Sequence, residues 1–155
     1  MDTQTVREFV RNHKIVAEII EHKDSGFTSR DASAVHGVEL SYIVKTLLFV
    51  GKDSNAIVIC LGKDKVDTKK LEKMGIKRPH LARREELEEI LGAEPGGVPP
   101  IALPEGIKKF IDKRVMERDF VIGSAGSEFS GIRLSPRDIL KYSNAELIDM
   151  VELRS

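Results

Sequence analysis

The run Ile43-Val44-Lys45-Thr46-Leu47-Leu48-Phe49-Val50 decides how this chain reads. It is apolar or β-branched at nearly every position, the composition of a buried strand. Side chains alternate along a strand, so Lys45 shares one face with Ile43, Leu47 and Phe49, while Val44, Thr46, Leu48 and Val50 take the other. Neither face offers an ammonium an obvious route to water. An unpaired charge in such a place is costly, and it is relieved by losing its proton or by finding an anion such as a phosphate or carboxylate. The bland alternative is a strand-end lysine whose stem packs on apolar surface while its head reaches solvent.

Working outward, residues 56–62 read as a second strand, with Gly51-Lys52-Asp53-Ser54-Asn55 as the hairpin loop. Upstream, Thr3 to His13 reads as a helix with Val6, Phe9 and Val10 on one face, and Ile15 to His22 as a strand. Thr28-Ser29-Arg30-Asp31 is a capping box, opening a short helix that stops near His36-Gly37. Downstream, Asp67 caps a helix from Thr68 to Met74, and Arg84 to Leu91 is an acidic helix stopped by Gly92. Glu94 to Pro100 is too broken by Gly and Pro for a regular element. Ile107–Ile111, Phe120–Ile122 and Gly131–Leu134 read as strands, with Gly123-Ser124-Ala125-Gly126-Ser127 as a tight turn. Ser135-Pro136-Arg137-Asp138 is a second capping box for a helix to about Tyr142, and Glu146 to Leu153 is a last strand. Helices and strands mix without strict alternation, which predicts a single α+β domain over residues 1–155 around a mixed or antiparallel sheet.

With 155 residues, 41% of them apolar, the chain can bury a real core. Its 25 basic and 25 acidic residues cancel, which argues against gripping nucleic acid by broad electrostatics alone. Local basic stretches exist, at Lys63-Asp64-Lys65, Lys69-Lys70, Lys77-Arg78, Arg83-Arg84 and Lys108-Lys109. The one cysteine, Cys60, lies in an apolar strand and reads as a buried thiol, which suits a reducing cytoplasm. Met1-Asp2-Thr3-Gln4 has no signal-peptide character, and no apolar run approaches the roughly 20 residues of a membrane span.

Three segments can carry chemistry. Beside Lys45, the stretch Gly96-Gly97-Val98-Pro99-Pro100 pairs two glycines, which let backbone approach a ligand, with two prolines that stiffen the loop. Such a loop suits an oxyanion or carbonyl wall, or a plain rigid connector. Gly123 to Ser127 supplies small residues directly after a strand, as a pocket floor would need. His13, His22, His36 and His80 include no pair at zinc-ligand spacing, so no metal or other cofactor is expected. His13 and His36 fall at helix ends, where a structural role is the default, whereas His22 closes a strand and can reach a pocket. No serine sits in a nucleophile-elbow pattern.

In order and spacing, Thr28-Ser29-Arg30-Asp31-Ala32 to Gly37-Val38, the Val44-Lys45-Thr46-Leu47 core, Gly96 to Pro100, Ile122 to Gly126 and Ile132-Arg133-Leu134-Ser135 resemble the YbaK/ProX-type aminoacyl-tRNA deacylases. That family includes free-standing editing proteins and the editing insertion of bacterial prolyl-tRNA synthetases. The resemblance implies a highly curved, barrel-like mixed sheet flanked by short helices. It also implies a pocket for the aminoacylated 3′ end of tRNA and hydrolysis of tRNA mischarged with a small amino acid such as Ala, Cys or Ser. It gives Lys45 the role of holding the terminal adenosine's phosphate or orienting the ester. By the same resemblance Gly96, Gly97, Val98 and Pro100 hold the aminoacyl carbonyl, Lys45 and Gly97 being the catalytic pair. Ser124, Ala125 and Gly126 form the opposite wall, with Thr46 and His22 as further substrate contacts. Many members have Ser where this chain has Pro99, and some have an acidic residue where it has Gly131. These departures bear on which amino acid is removed. Partners implied are mischarged tRNA, bound weakly and salt-sensitively, and an aminoacyl-tRNA synthetase. The alternative is a non-catalytic module of the same fold that binds tRNA ends or a synthetase.

Overall fold

The computed structural model describes residues 1–153. The first helix, α1 (Thr3–Asn12), is capped by the Asp2 carboxylate, which accepts from the Thr5 N–H at 2.8 Å, and β1 (Ala17–Glu21) follows. The capping box of α2 (Ser29–His36) is complete. Thr28 Oγ1 accepts from the Asp31 N–H at 3.0 Å, Asp31 accepts from the Thr28 N–H at 3.2 Å, and Gly37 ends the helix at φ 65°. After a 3-10 turn over Leu40–Tyr42, the central apolar runs form the hairpin β2 (Val44–Val50) and β3 (Asn55–Leu61), with Lys45 opposite Cys60. Then come α3 (Thr68–Lys73), the two-residue β4 (His80–Leu81) and α4 (Arg84–Leu91). Next are β5 (Lys108–Asp112), a 3-10 turn over Lys113–Glu117, and the β6 (Val121–Ser124)–β7 (Ser130–Leu134) hairpin. The last elements are α5 (Pro136–Ser143) and β8 (Glu146–Ile148).

The strands make two sheets rather than the one curved, barrel-like sheet expected. One has order β1-β7-β6 and is antiparallel; the other has order β4-β2-β3-β5-β8, with β3, β5 and β8 parallel. An isolated parallel bridge between Ile43 and Ile122 joins them. Closure into a barrel needs continuous pairing between β2 and β6. Apart from that one bridge, β2 and β6 are not paired, and the seam stays open. A stack ties the same seam together: Tyr42 and Phe120 lie face to face at 4.6 Å, with the Arg133 guanidinium 3.7 Å over Phe120.

β3 lies at the centre of its sheet and is buried from Ala56 to Leu61, which is why it reads as an unbroken apolar run. Its Ile59 and Leu61 join Ile132 and Leu134 of the other sheet with Val6 of α1 and Ile139 of α5 in one core. Its Val58 and Cys60 pack on the opposite side with Leu71 of α3, Phe110 and Met150.

Three expectations shift. Gly123 and Ser124 belong to β6, because they pair with Ile132 and Gly131, so the turn begins later than the sequence suggests. The second capping box does not form, and Ser135 acts as a simple N-cap. Ser135 Oγ accepts from the Arg137 N–H at 3.2 Å, while the Asp138 N–H goes to the Ser135 main-chain oxygen. The last strand stops at Ile148 because the Met150 N–H is drawn to the buried Asp112 carboxylate at 2.8 Å, after which Val151 makes an isolated bridge to Val66.

Candidate functional site

At the seam between the sheets lies a cavity of about 570 Å³. Its walls come from the first turn of α2, the start of β2, the Gly62-Lys63 corner after β3, and the β6 strand. Gly62 explains how α2 reaches this place. A Cβ at Gly62 would overlap the Cβ and Oγ of Ser29, so glycine here lets the N-terminal turn of α2 pack directly on the end of β3. Lys45 is half-buried in that wall, on the face of β2 shared with Leu47 and Phe49, and its Nζ donates to the Gly62 carbonyl at 3.3 Å. One carbonyl at that distance leaves two ammonium hydrogens for a ligand. Thr46, on the other face of β2, also lines the cavity and is 8% exposed.

The glycine loops divide between lining and support. Gly96 and Val98 line the cavity, Gly96 at φ 78° and close against Phe27. Gly97 sits one layer behind. Its N–H donates to Glu94 O at 2.9 Å, and a Cβ on it would come within 3.2 Å of Gly126 O. Pro100 packs under Gly123, which lines the cavity. Ser124 lines the cavity, but its hydroxyl is committed to its own turn, donating to Ser127 O at 3.1 Å and accepting from the Gly126 N–H at 3.2 Å. Ala125 is fully buried in the core, and Gly126, at φ 109°, turns its α-carbon toward Asp2 and Thr3 at the start of α1. Of the ten residues singled out from sequence, Lys45, Thr46, His22, Gly96, Val98 and Ser124 therefore meet at one cavity. Gly97, Pro100, Ala125 and Gly126 form its supporting shell.

His36 enters the site unforeseen. Ser124 pairs with Gly131 and Ile122 with Arg133, so these four residues share the face of their sheet that meets the cavity. His36 drops onto that face at Gly131, where a Cβ would stand 2.5 Å from His36 Nε2. There its ring meets His22 edge-to-face at 5.0 Å. Burial, with the His22 ring as a second cause, holds the His36 imidazole below its ordinary value. The signal was available: α2 is short, its C-terminal turn must cross the sheet it packs on, and Gly131 removes the side chain that would block a ring.

The cavity's ionisable lining is His22, Arg30, His36, Lys45 and Lys63; among the described residues no Asp or Glu side chain lines it. A neutral chain thus concentrates positive charge where a ligand would enter, as an anionic substrate requires. Cys60 is buried and does not line the cavity, and burial pushes its thiol up to about 12, which disfavours the reactive thiolate. Among the described residues, no group of three or more His, Cys, Asp or Glu is placed to hold a metal, and no helix is long and apolar enough to cross a membrane.

Comparison with known proteins places this architecture. Residues 23–142 match the model of a family described as the aminoacyl-tRNA editing domain. The uncharacterised protein YwhH of Bacillus subtilis is 30% identical over 145 residues, covering 92% of each chain. The proline–tRNA ligase of Streptococcus sanguinis is 26% identical over 128 residues, so the chain spans 20% of that ligase's length. Among solved structures, a candidate trans-editing enzyme for prolyl tRNA synthetase has the same fold, with a TM-score of 0.86 at 24% identity over 97% of both chains.

Proposed function

The chain belongs to the aminoacyl-tRNA editing domain family, and from that premise we propose that it is a deacylase that hydrolyses mischarged aminoacyl-tRNA in trans. The observation that carries the reading is the half-buried Lys45 ammonium, held by one carbonyl in a cavity whose charged lining is entirely basic. Lys45, with Arg30 and Lys63 nearby, takes the phosphate of the terminal nucleotide and so fixes the ester in place; positioning of this kind supplies much of the rate for an activated ester. Gly96 and Val98 present backbone to the aminoacyl carbonyl, and the Gly97–Gly126 contact behind them holds that backbone rigid. The cavity volume of about 570 Å³ has room for a ribose carrying a small aminoacyl group such as Ala, Cys or Ser. No metal is required in this scheme. The tRNA body contributes a weak, salt-sensitive contact, and a synthetase presents the substrate.

The test is a deacylation screen with Ala-, Cys-, Ser- and Pro-charged tRNAs, with and without a chelator, on wild type and Lys45→Ala. Chelator-insensitive hydrolysis of a mischarged species, lost in the variant, is expected. Binding of charged tRNA without hydrolysis above background would instead identify a non-catalytic module of the same fold.

A further inference from the structure

Ester hydrolysis by water needs a proton acceptor, and the cavity offers few. Arg30, Lys45 and Lys63 are donors only. The Ser124 hydroxyl is bound within its turn, and Ser127 and Ser130 hydroxyls bond each other at 3.2 Å. Among the ionisable side chains of the lining, only the histidine pair can take up a proton. His22 Nδ1 lies 2.7 Å from the Asp24 carbonyl, which can only accept, so Nδ1 carries the proton. A neutral imidazole held in that tautomer has its lone pair on Nε2. The His36 ring stands at 89° against it and is backed by Gly131, which fixes the plane in which His22 can lie.

We propose that His22 Nε2 is the general base of the hydrolysis and that His36 is its positioning residue; this rests on the deacylase reading above. Nε2 takes one proton from a water whose oxygen attacks the aminoacyl carbonyl carbon. The bond from that carbon to the ribose oxygen then breaks, and the ribose oxygen takes the proton back from His22. The products are the free amino acid and an unmodified terminal ribose hydroxyl, and His22 returns to its starting state. The ionisable groups that line the cavity with His22 are His36 and Arg30 from α2, Lys45 from β2 and Lys63 after β3. None is a carboxylate, so no anion there competes for the proton.

The experiment measures kcat and KM between pH 5 and 8.5 on the cleaved aminoacyl-tRNA, for wild type, His22→Asn, His36→Ala, His36→Phe and Lys45→Ala. Asparagine puts its amide nitrogen near the place of Nδ1, so it keeps the bond to Asp24 O and deletes the base; His22→Gln is the substitute if it does not fold. His22→Asn is expected to lower kcat about 100-fold with KM within about threefold, and to abolish the acid limb of the profile. His36→Ala is expected to lower kcat about 10-fold, with most of it restored by the ring of His36→Phe. Wild-type kcat in His22→Asn, or a change in KM alone, overturns the base while the loss in Lys45→Ala keeps the deacylase reading. A wild type that cleaves no aminoacyl-tRNA overturns both.

Discussion

Replacing Lys45 by methionine separates a functional lysine from a structural one. Methionine keeps an unbranched stem on the same face of β2 and removes the ammonium. What is lost from the fold is one hydrogen bond, Nζ to Gly62 O at 3.3 Å, which at that length contributes about 1 kcal/mol. What is relieved is the partial desolvation of a half-buried charge, of the same order, about 1 kcal/mol. The two nearly cancel, so Lys45→Met should change unfolding free energy by less than about 1 kcal/mol. Transition-state stabilisation should drop far more, with deacylation falling at least about 1000-fold, or about 4 kcal/mol. Urea unfolding followed by circular dichroism gives the first quantity and single-turnover hydrolysis the second. Destabilisation beyond about 2 kcal/mol, or hydrolysis near the wild-type rate, would refute the reasoning, because either result makes Lys45 a strut of the sheet.

Three further outcomes are expected elsewhere in the fold. Gly126→Ala must place a Cβ at φ 109° and 2.5 Å from the Asp2 carbonyl carbon, so α1 has to lift and stability should fall by about 2–4 kcal/mol in urea titrations. Asp112→Ala leaves the Met150 N–H, bonded at 2.8 Å, and the Arg114 N–H, bonded at 3.0 Å, without acceptors in the interior, and a loss of about 3–5 kcal/mol should appear as a lower urea midpoint. The Asp149 carboxyl is held down to about 2 from an ordinary 3.8 by its bond to Arg114 and a second to Lys70. Its folded pKa is below its unfolded one, so its contribution is present above pH about 4 and is lost as the pH falls through about 2. Asp149→Asn should therefore flatten the decline of thermal midpoint over that acid window.

Local chemistry was legible in the sequence wherever local chemistry decides structure. The capping box at Thr28–Asp31 and the Gly37 and Gly92 stops stand where the residues place them, because a cap is settled within one helical turn. The β2–β3 hairpin follows from two apolar runs and a polar loop, which closes one residue sooner than the sequence suggests because Asn55 pairs with Val50. The division into two sheets was not legible. β1 finds its partner in β7, pairing Ala17 with Leu134, and nothing in either segment names the other. The same distance kept the meeting of His36 with His22 out of view. Lys45 announces itself by being wrong for its strand, but His36 sits at an ordinary helix end and gains a role only once the sheet beneath brings His22 to it. Gly97 and Gly126 were found as site residues and act one layer behind it, since a glycine that admits another backbone and one that admits a ligand look alike in sequence.

Gly131 also leaves a mark on how this protein can vary. A side chain at position 131 and the His36 ring in its present place claim one volume, so the two compete for it. His36 can swing aside, since the clash falls on the tip of its side chain, which makes the passage between the two states a matter of two substitutions in either order rather than a barrier to folding. Relatives with a bulkier residue at the 131 position should then carry something smaller or more mobile than histidine at the 36 position, and a library randomised at both sites and selected for folding should recover the two as a reciprocal pair.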